Sequence, residues 1–278
     1  MILRKPILVS VIILSWIFPG TPLEYALQFT TGYDSNVMRF SADEYLQAAP
    51  ASDVMGGADT FDSFVYKLGL SGEKTLWNSR KKLFVVSGNI HWSDYRHHPQ
   101  RKYGSGGFHM QFKWGSYKNI KYSLRHLDRF YLRHYINRDI SNTFMQSCAF
   151  TDQNQSITFT QRVGRREWFN LSAGFLQRYY DRPFTEFDLD ITYIRGKINK
   201  RFNNFGTVAF QFERGIAENI TFGKTAKASE LDRSYKTMEW YMPIRIQKRI
   251  PFLNEVGISA RTETRIYVAE DPDDPLHS

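Results

Sequence analysis

The stretch Phe108-His109-Met110-Gln111-Phe112-Lys113-Trp114 carries a large apolar residue at every second position. A period of two places Phe108, Met110, Phe112 and Trp114 on one face of a β-strand and His109, Gln111 and Lys113 on the other. Phe187-Asp188-Leu189-Asp190-Ile191-Thr192-Tyr193 reads the same way, with Asp188, Asp190 and Thr192 opposite an apolar row. Strands with one apolar and one charged face belong to a sheet that meets two different surroundings.

The pattern recurs on both sides of these stretches. Upstream, a first strand spans about Leu27 to Tyr33. It is followed by the rows Phe64, Tyr66, Leu68, Leu70 and Phe84, Val86, Ile90, Trp92. After Trp114 come Ile120, Tyr122, Leu124, then Ile157, Phe159, Val163, then Phe169, Leu171, Ala173, Phe175. The Phe187 row leads to Val208, Phe210, Phe212, then Met238, Trp240, Met242, Ile244, and last Val256, Ile258, Ala260. That is eleven strands. Long connections (34–60, 95–106, 131–154, 215–234) alternate with tighter ones at Gly72–Lys81, Gly115–Asn119, Gly164–Glu167, Asn199–Asn204 and Lys248–Asn254. A short link through Pro183 is the exception.

The N-terminus has the form of a secretory signal. Arg4 and Lys5 precede an apolar run from Ile7 to Phe18, Pro19-Gly20 breaks it, and Ala26 is a small residue suited to cleavage. Glu24 is a poor residue two places before Ala26, so cleavage could fall slightly earlier. The run is shorter than the roughly 20 residues of a membrane-spanning helix. The expected organisation is a signal peptide over 1–26 and one domain over 27–278.

An exported chain of alternating strands reads as all-β: an up-and-down antiparallel transmembrane β-barrel of about eleven or twelve strands in a bacterial outer membrane. The apolar rows hold no Asp, Glu, Lys or Arg, as lipid contact demands. Trp92, Trp114, Trp168 and Trp240 fall near row ends, where interfacial aromatics belong. A soluble β-sandwich also alternates, but it gives no reason for aromatics at both ends or for unequal loops. Bacterial single-chain barrels have even strand numbers. Either a further strand lies near Phe144 or C-terminal sequence is lacking; the second is preferred, because an extra strand would upset the alternation downstream. A gap is expected between the Leu27 and Val256 strands.

The chain is basic, with 37 Lys+Arg against 28 Asp+Glu. That suits anionic lipid and lipopolysaccharide as partners, or the attraction of anions into a lumen. The basic residues are scattered over turns and strands, which argues against nucleic acid. Cys148 is the only cysteine, so no internal disulfide forms. Assembly of such a barrel also implies the barrel assembly machinery as a partner.

Chemistry is sought on the polar faces. The lumen-lining candidates are Lys113, Arg125, Arg178, Asp188, Asp190, Glu213, Glu239, Arg245, Arg261, Glu263 and Arg265, with His91, His109, Lys121 and Arg129 beside them. Opposed charges either make a selective pore or fill the interior as cross-strand ion pairs. His91-Trp92-Ser93 has the His-x-Ser form of outer-membrane acyl hydrolases, which need a third, orienting residue about a dozen positions later. Tyr103 to Gly107 offers none, so no catalytic set is expected. His97-His98 lies in a basic loop without Cys, Asp or Glu, and Asp271, Asp273 and Asp274 lack the spacing of a calcium loop. No metal or other cofactor is expected. The leading function is a passive channel or binding barrel for small hydrophilic solutes, anions included. The alternatives are a non-conducting structural or secretion-associated barrel and, last, an outer-membrane acyl hydrolase using His91 and Ser93.

Gly32-Tyr33-Asp34-Ser35-Asn36-Val37 resembles the first strand of many uncharacterised bacterial outer-membrane barrels, some of which follow tetratricopeptide repeats, as in the surface-lipoprotein assembly modifiers. The resemblance implies a barrel. The helical repeats of those modifiers have no counterpart here.

Overall fold

The computed structural model describes residues 21–48, 53–137, 139–203, 205–223, 232–246 and 255–268. Eleven strands form one sheet in chain order: β1 (Glu24–Asp34), β2 (Ser63–Ser79), β3 (Lys82–Tyr95), β4 (Tyr103–Gly115), β5 (Lys118–Ile136), β6 (Met145–Arg162), β7 (Glu167–Tyr180), β8 (Leu189–Phe202), β9 (Gly206–Asn219), β10 (Tyr235–Ile246) and β11 (Val256–Tyr267). Each neighbouring pair is antiparallel. The chain is therefore all-β and up-and-down. The sheet is open, with β1 and β11 as its two edges. An odd number of alternating strands makes those edges run in the same direction. Among the described residues no helix is long and apolar enough to cross a membrane, which says nothing about strands.

Several boundaries differ from the sequence reading. Most of the 1–26 leader falls in 1–20, outside the described residues, as do the tail 269–278 and the turn 247–254. β1 begins at Glu24, which pairs with Glu73, so Ala26 already lies inside a strand. Phe144 belongs to no additional strand: its carbonyl accepts the N–H of Asn137, and β6 begins at the next residue. β5 and β6 instead extend past the other strands as one long hairpin. The connections 80–81, 116–117, 163–166 and 203–205 mark one end of the sheet; 35–62, 96–102, 137–144, 181–188 and 220–234 mark the other, long-loop end.

Residues directly opposite each other in an antiparallel pair share a face, so the registers sort every strand residue. The Phe108–Trp114 row lies on the apolar face with Phe84, Val86, Ile120 and Tyr122. The reading of strand eight is reversed. Thr185–Phe187 is a 3₁₀ turn, and Leu189 pairs with Arg178, Ile191 with Leu176 and Tyr193 with Gly174, all on the polar face. The apolar-face residues of β8 are Thr192, Ile194 and Ile198, and Asp190 lies on that face opposite Gln177 and Glu218.

The first long connection folds back over the sheet. Asp34 Oδ1 accepts the N–H of Asn36, and the Asn36 side chain both donates to the Phe40 carbonyl and accepts its N–H. This turn drives Val37 into full burial against Val65, Tyr95 and Tyr103, which are polar-face residues of β2, β3 and β4. Helix α1 (Ala42–Ala48) follows, opened by a capping box. The Ser41 N–H donates to Glu44 Oε2, and the Glu44 N–H donates to Ser41 Oγ. Met38, Phe40, Met55 and Ala58 then bury against Tyr131 of the β5–β6 hairpin. A second small core holds Leu189, Ala217 and Tyr235, with Ile191 and Tyr267 against it. These clusters put the buried apolar side chains at the long-loop end of the polar face, where Leu189 and Ile191 are needed.

Candidate functional site: a two-faced sheet

The apolar face is a broad exposed surface. Leu27, Phe29, Leu68, Leu70, Ile90, Trp92, Ile157, Leu171, Ile194, Ile198, Phe210 and Met242 are all exposed large apolar residues on it. Aromatic contacts tie neighbouring strands together: Trp114 stacks between Phe112 and Phe159, and Trp240 rests on Phe210 and Phe212. Trp92 and Trp114 share this face with Trp240. Trp168 does not. It pairs with Arg162 and Asn199 on the polar face and stacks on the turn residue Tyr117 at 4.1 Å.

The apolar field runs obliquely across the sheet. On β2 its middle lies near Leu68, which connects through Trp92 to Gly104 of β4. On β10 its middle lies near Met242, one pair below Trp240. The Trp240 rung runs through Phe212, Gly196, Leu171, Phe159 and Ile120 to Phe112. From β2 to β10 the middle of the field descends by about nine residues, about seven of them between β2 and β4 and about two from β4 to β10, an average of a little over one per strand. With about 3.4 Å per residue and about 4.8 Å between strands, that slope corresponds to strands inclined roughly 40° to the normal of a flat slab. Charges also stand on this face. Asp94, Asp128, Asp190 and Glu218 lie toward its long-loop side, and the Glu167–Lys200 pair lies toward the other end. Lys74, Arg214 and Lys236 stand among the apolar residues themselves, with Arg214 opposite Ile194 and Met238 and Lys74 opposite Val86.

The polar face divides in two. On β8 to β11 most of its charges are paired, although Lys197 and Arg201 of β8 have no ion pair among the described residues. Arg195 donates to Glu213, Arg261 to Glu239 at 2.6 Å and to Glu263 at 3.5 Å, and Arg265 to Glu263 at 2.9 Å. Arg245 meets Glu255 at 3.0 Å. Arg178 of β7 grips both carboxylate oxygens of Asp152 of β6 at 2.8 Å, and its guanidinium lies over Phe150. On β3, β4 and the sheet-paired part of β5 (118–127) the polar-face positions include no carboxylate. Lys113, Lys121 and Arg125 stand there without an ion pair among the described residues, beside His91 and His109. Lys113, Arg125, Arg178, Glu213, Glu239, Arg245, Arg261, Glu263 and Arg265 thus occupy one face. Asp190 is on the other, and Asp188 lies in the connection before β8.

Two side chains on the polar face reach across glycines. The Tyr193 ring lies over Gly174, where a Cβ would collide with it, and its hydroxyl donates to Asn154 Oδ1 at 3.0 Å. The His91 ring lies over Gly69 in the same way. Ser93 is buried two residues further along β3, and no hydrogen bond joins it to His91. His97 and His98 sit against the 60–62 segment. The His97 ring lies 3.3 Å from the Asp62 carbonyl, whereas His98 is fully buried and burial pushes its ring below the usual histidine range. Among the described residues no group of three or more His, Cys, Asp or Glu comes together to hold a metal. Cys148 is buried in β6.

Three carboxylates in the connections have displaced pKa values. Burial pushes Asp188 up to about 6, although the Tyr180 N–H donating to its Oδ1 works the other way. Glu44 is held below its usual range by the Ser41 N–H and by Arg133 at 2.8 Å. Asp62 is held low by the hydroxyls of Tyr33 and Thr60. Sequence reasoning singled out Asp188 but not Glu44 or Asp62, because the hydrogen bonds that hold those two low depend on how the connections fold. No protein-family model, curated protein or solved structure matches this chain.

Proposed function

We propose that this sheet is the greater part of an outer-membrane β-barrel whose polar face lines a lumen for small hydrophilic anions. The observation that carries the reading is the slope of the apolar field. Strands of membrane barrels tilt by about 35–45°, and an exposed apolar field that climbs on average a little over one residue per strand from β2 to β10, most steeply between β2 and β4, accords with such a tilt. A soluble sandwich buries its apolar face, and nothing in one would hold that face to a sloping band. The resemblance of Gly32–Val37 to first strands of outer-membrane barrels points the same way, as does the signal-like N-terminus. Closure needs further pairing at the β1 and β11 edges, because an unpaired edge in hydrocarbon leaves N–H and C=O groups unsatisfied at several kcal/mol each. Lipid and lipopolysaccharide are then the partners of the apolar face and its charged margins, with the barrel assembly machinery needed for insertion.

The full-length protein in planar bilayers tests the transport reading. Stepwise conductance with anions favoured over cations is expected; repeated insertion without conductance would refute it. One observation favours the rival, a non-conducting barrel. Val37, Met38 and Phe40 are buried over the long-loop end of the polar face, where they narrow the mouth. Deleting 38–60 would then convert a silent barrel into a conducting one.

A further inference from the structure

We infer that His109, Lys121 and Arg125 form a binding site for a small oxyanion (phosphate, sulfate or a short carboxylate) midway along the polar face of β4 and β5. The inference rests on the membrane-barrel reading for its location, but not on whether the barrel conducts. His109 pairs with Ser123, while Gln111 pairs with Lys121 and Gly107 with Arg125. The two cations are therefore diagonal neighbours of the imidazole on either side, and both charges act on its ring. Gly107 leaves the place opposite Arg125 without a side chain, and the Asn89 amide leans into that space.

The adjacent strands supply donors and no free counter-charge; along the rung the first carboxylates are Glu73 of β2 and Glu24 of β1, two and three strands from His109. The His109 rung continues through Ser87, Ser123 and Ser156, and the Lys121 rung through Gln111 and Thr158. The nearest polar-face carboxylate in the neighbouring strands, Asp152, has both oxygens committed to Arg178. His109 Nδ1 is shielded from solvent and has no hydrogen-bond partner. Several arginines elsewhere on this face are answered by a carboxylate one strand away, as with Arg195 and Glu213, Arg261 and Glu239, or Arg178 and Asp152, whereas Lys197 and Arg201 are not. Two uncompensated cations and an orphaned ring nitrogen, flanked by hydroxyls and amides, match an anion that brings both charge and acceptor oxygens. The site lies level with Phe108, Met110 and Tyr122 on the opposite face, away from the ends of the strands where lipid headgroups would lie.

The test uses the full-length chain in nanodiscs of uncharged-headgroup lipid, titrated with inorganic phosphate by calorimetry, alongside conductance in planar bilayers. Wild-type protein should bind phosphate, and the double variant Lys121→Gln/Arg125→Gln should bind it about tenfold more weakly while keeping its heat-modifiable folded form. Ser87→Ala, a milder variant that leaves both charges in place, should weaken binding less. Phosphate binding lost in the double variant, in a barrel that never conducts, would support the site and sink the channel. A conducting barrel that binds no phosphate, or binds it equally well in the double variant, would overturn the site and leave the channel standing.

Discussion

Leu171→Arg separates a membrane sheet from a soluble one more sharply than any other single change. Leu171 lies near the middle of the apolar row on β7, between Phe169 and Ala173, with Phe159 and Gly196 opposite it. It is 51% exposed, so in water an arginine there would replace a half-solvated leucine and shift stability by about 0.5 kcal/mol or less. In a bilayer the same exposed half faces hydrocarbon, and an arginine near the midplane of a barrel costs about 2–4 kcal/mol. That is roughly a thirty- to eight-hundred-fold change in the folding equilibrium. The measurement is urea unfolding of the full-length chain from phosphatidylcholine vesicles, followed by tryptophan emission. Ser172→Gln, one residue along on the polar face, gives the comparison. A Leu171→Arg variant as stable in vesicles as the wild type would refute the assignment of this face to lipid.

Three further outcomes are expected. Gly174→Val should displace the Tyr193 ring and break its hydrogen bond to Asn154, at a cost of about 1–3 kcal/mol in the same unfolding assay; an unchanged midpoint would show that the ring has room elsewhere. Asp152→Asn should leave the Arg178 guanidinium without its counter-charge and lower stability by about 1–3 kcal/mol, a loss that Arg178→Met added on top should partly restore. Because Asp188 has a raised pKa in the folded protein, its contribution is fully present below the ordinary carboxylate value of 3.8 and is lost progressively as pH rises from there through about 6. Proteolysis of the 181–188 connection should therefore increase between pH 4.5 and 7.5 in the wild type and show no such trend in Asp188→Asn. Glu44 and Asp62, held low, act in the opposite sense and only in more acid solution.

How far the sequence could be read depended on whether a strand has one apolar face or two. β4 comes nearest to one, and its row was legible residue by residue; the rows of β7 and β10 were legible as well, although Trp168, Leu176 and Tyr180 of β7 and Tyr235 and Tyr241 of β10 stand on the other face. β8 has apolar residues at both parities, Leu189, Ile191 and Tyr193 on one and Ile194 and Ile198 on the other. Periodicity alone favoured the first, which packs on Ala217 and Tyr235 beneath the connections. The misplacement of Asp190 follows directly. Trp168 failed for a related reason: its place beside a tight turn was visible, but its stacking on Tyr117 depends on how the turn folds. The candidate site was legible as a set of charges and not as pairs. That Arg178 belongs to Asp152, or that Lys121 and Arg125 have no such partner, is decided by strand register, which no local pattern contains. The oblique course of the apolar field was hidden for the same reason, since it appears only once the rungs are aligned.

The rings lying over Gly174 and Gly69 bear on how that register is chosen. Sliding one strand past its neighbour by two residues keeps every side chain on its proper face, so amphipathic patterning cannot distinguish the native pairing from such a slip. A bulky ring seated over a glycine can. Shifted by two, Tyr193 would meet Ser172 or Leu176 instead of Gly174, and His91 would meet Lys67 or Ser71 instead of Gly69. Each glycine is thus a keyhole that one alignment fits, at β2–β3 near the start of the sheet and at β7–β8 further along. Pairing errors at these two seams should therefore be corrected during assembly, and the strands between them inherit their alignment from whichever seam closes first.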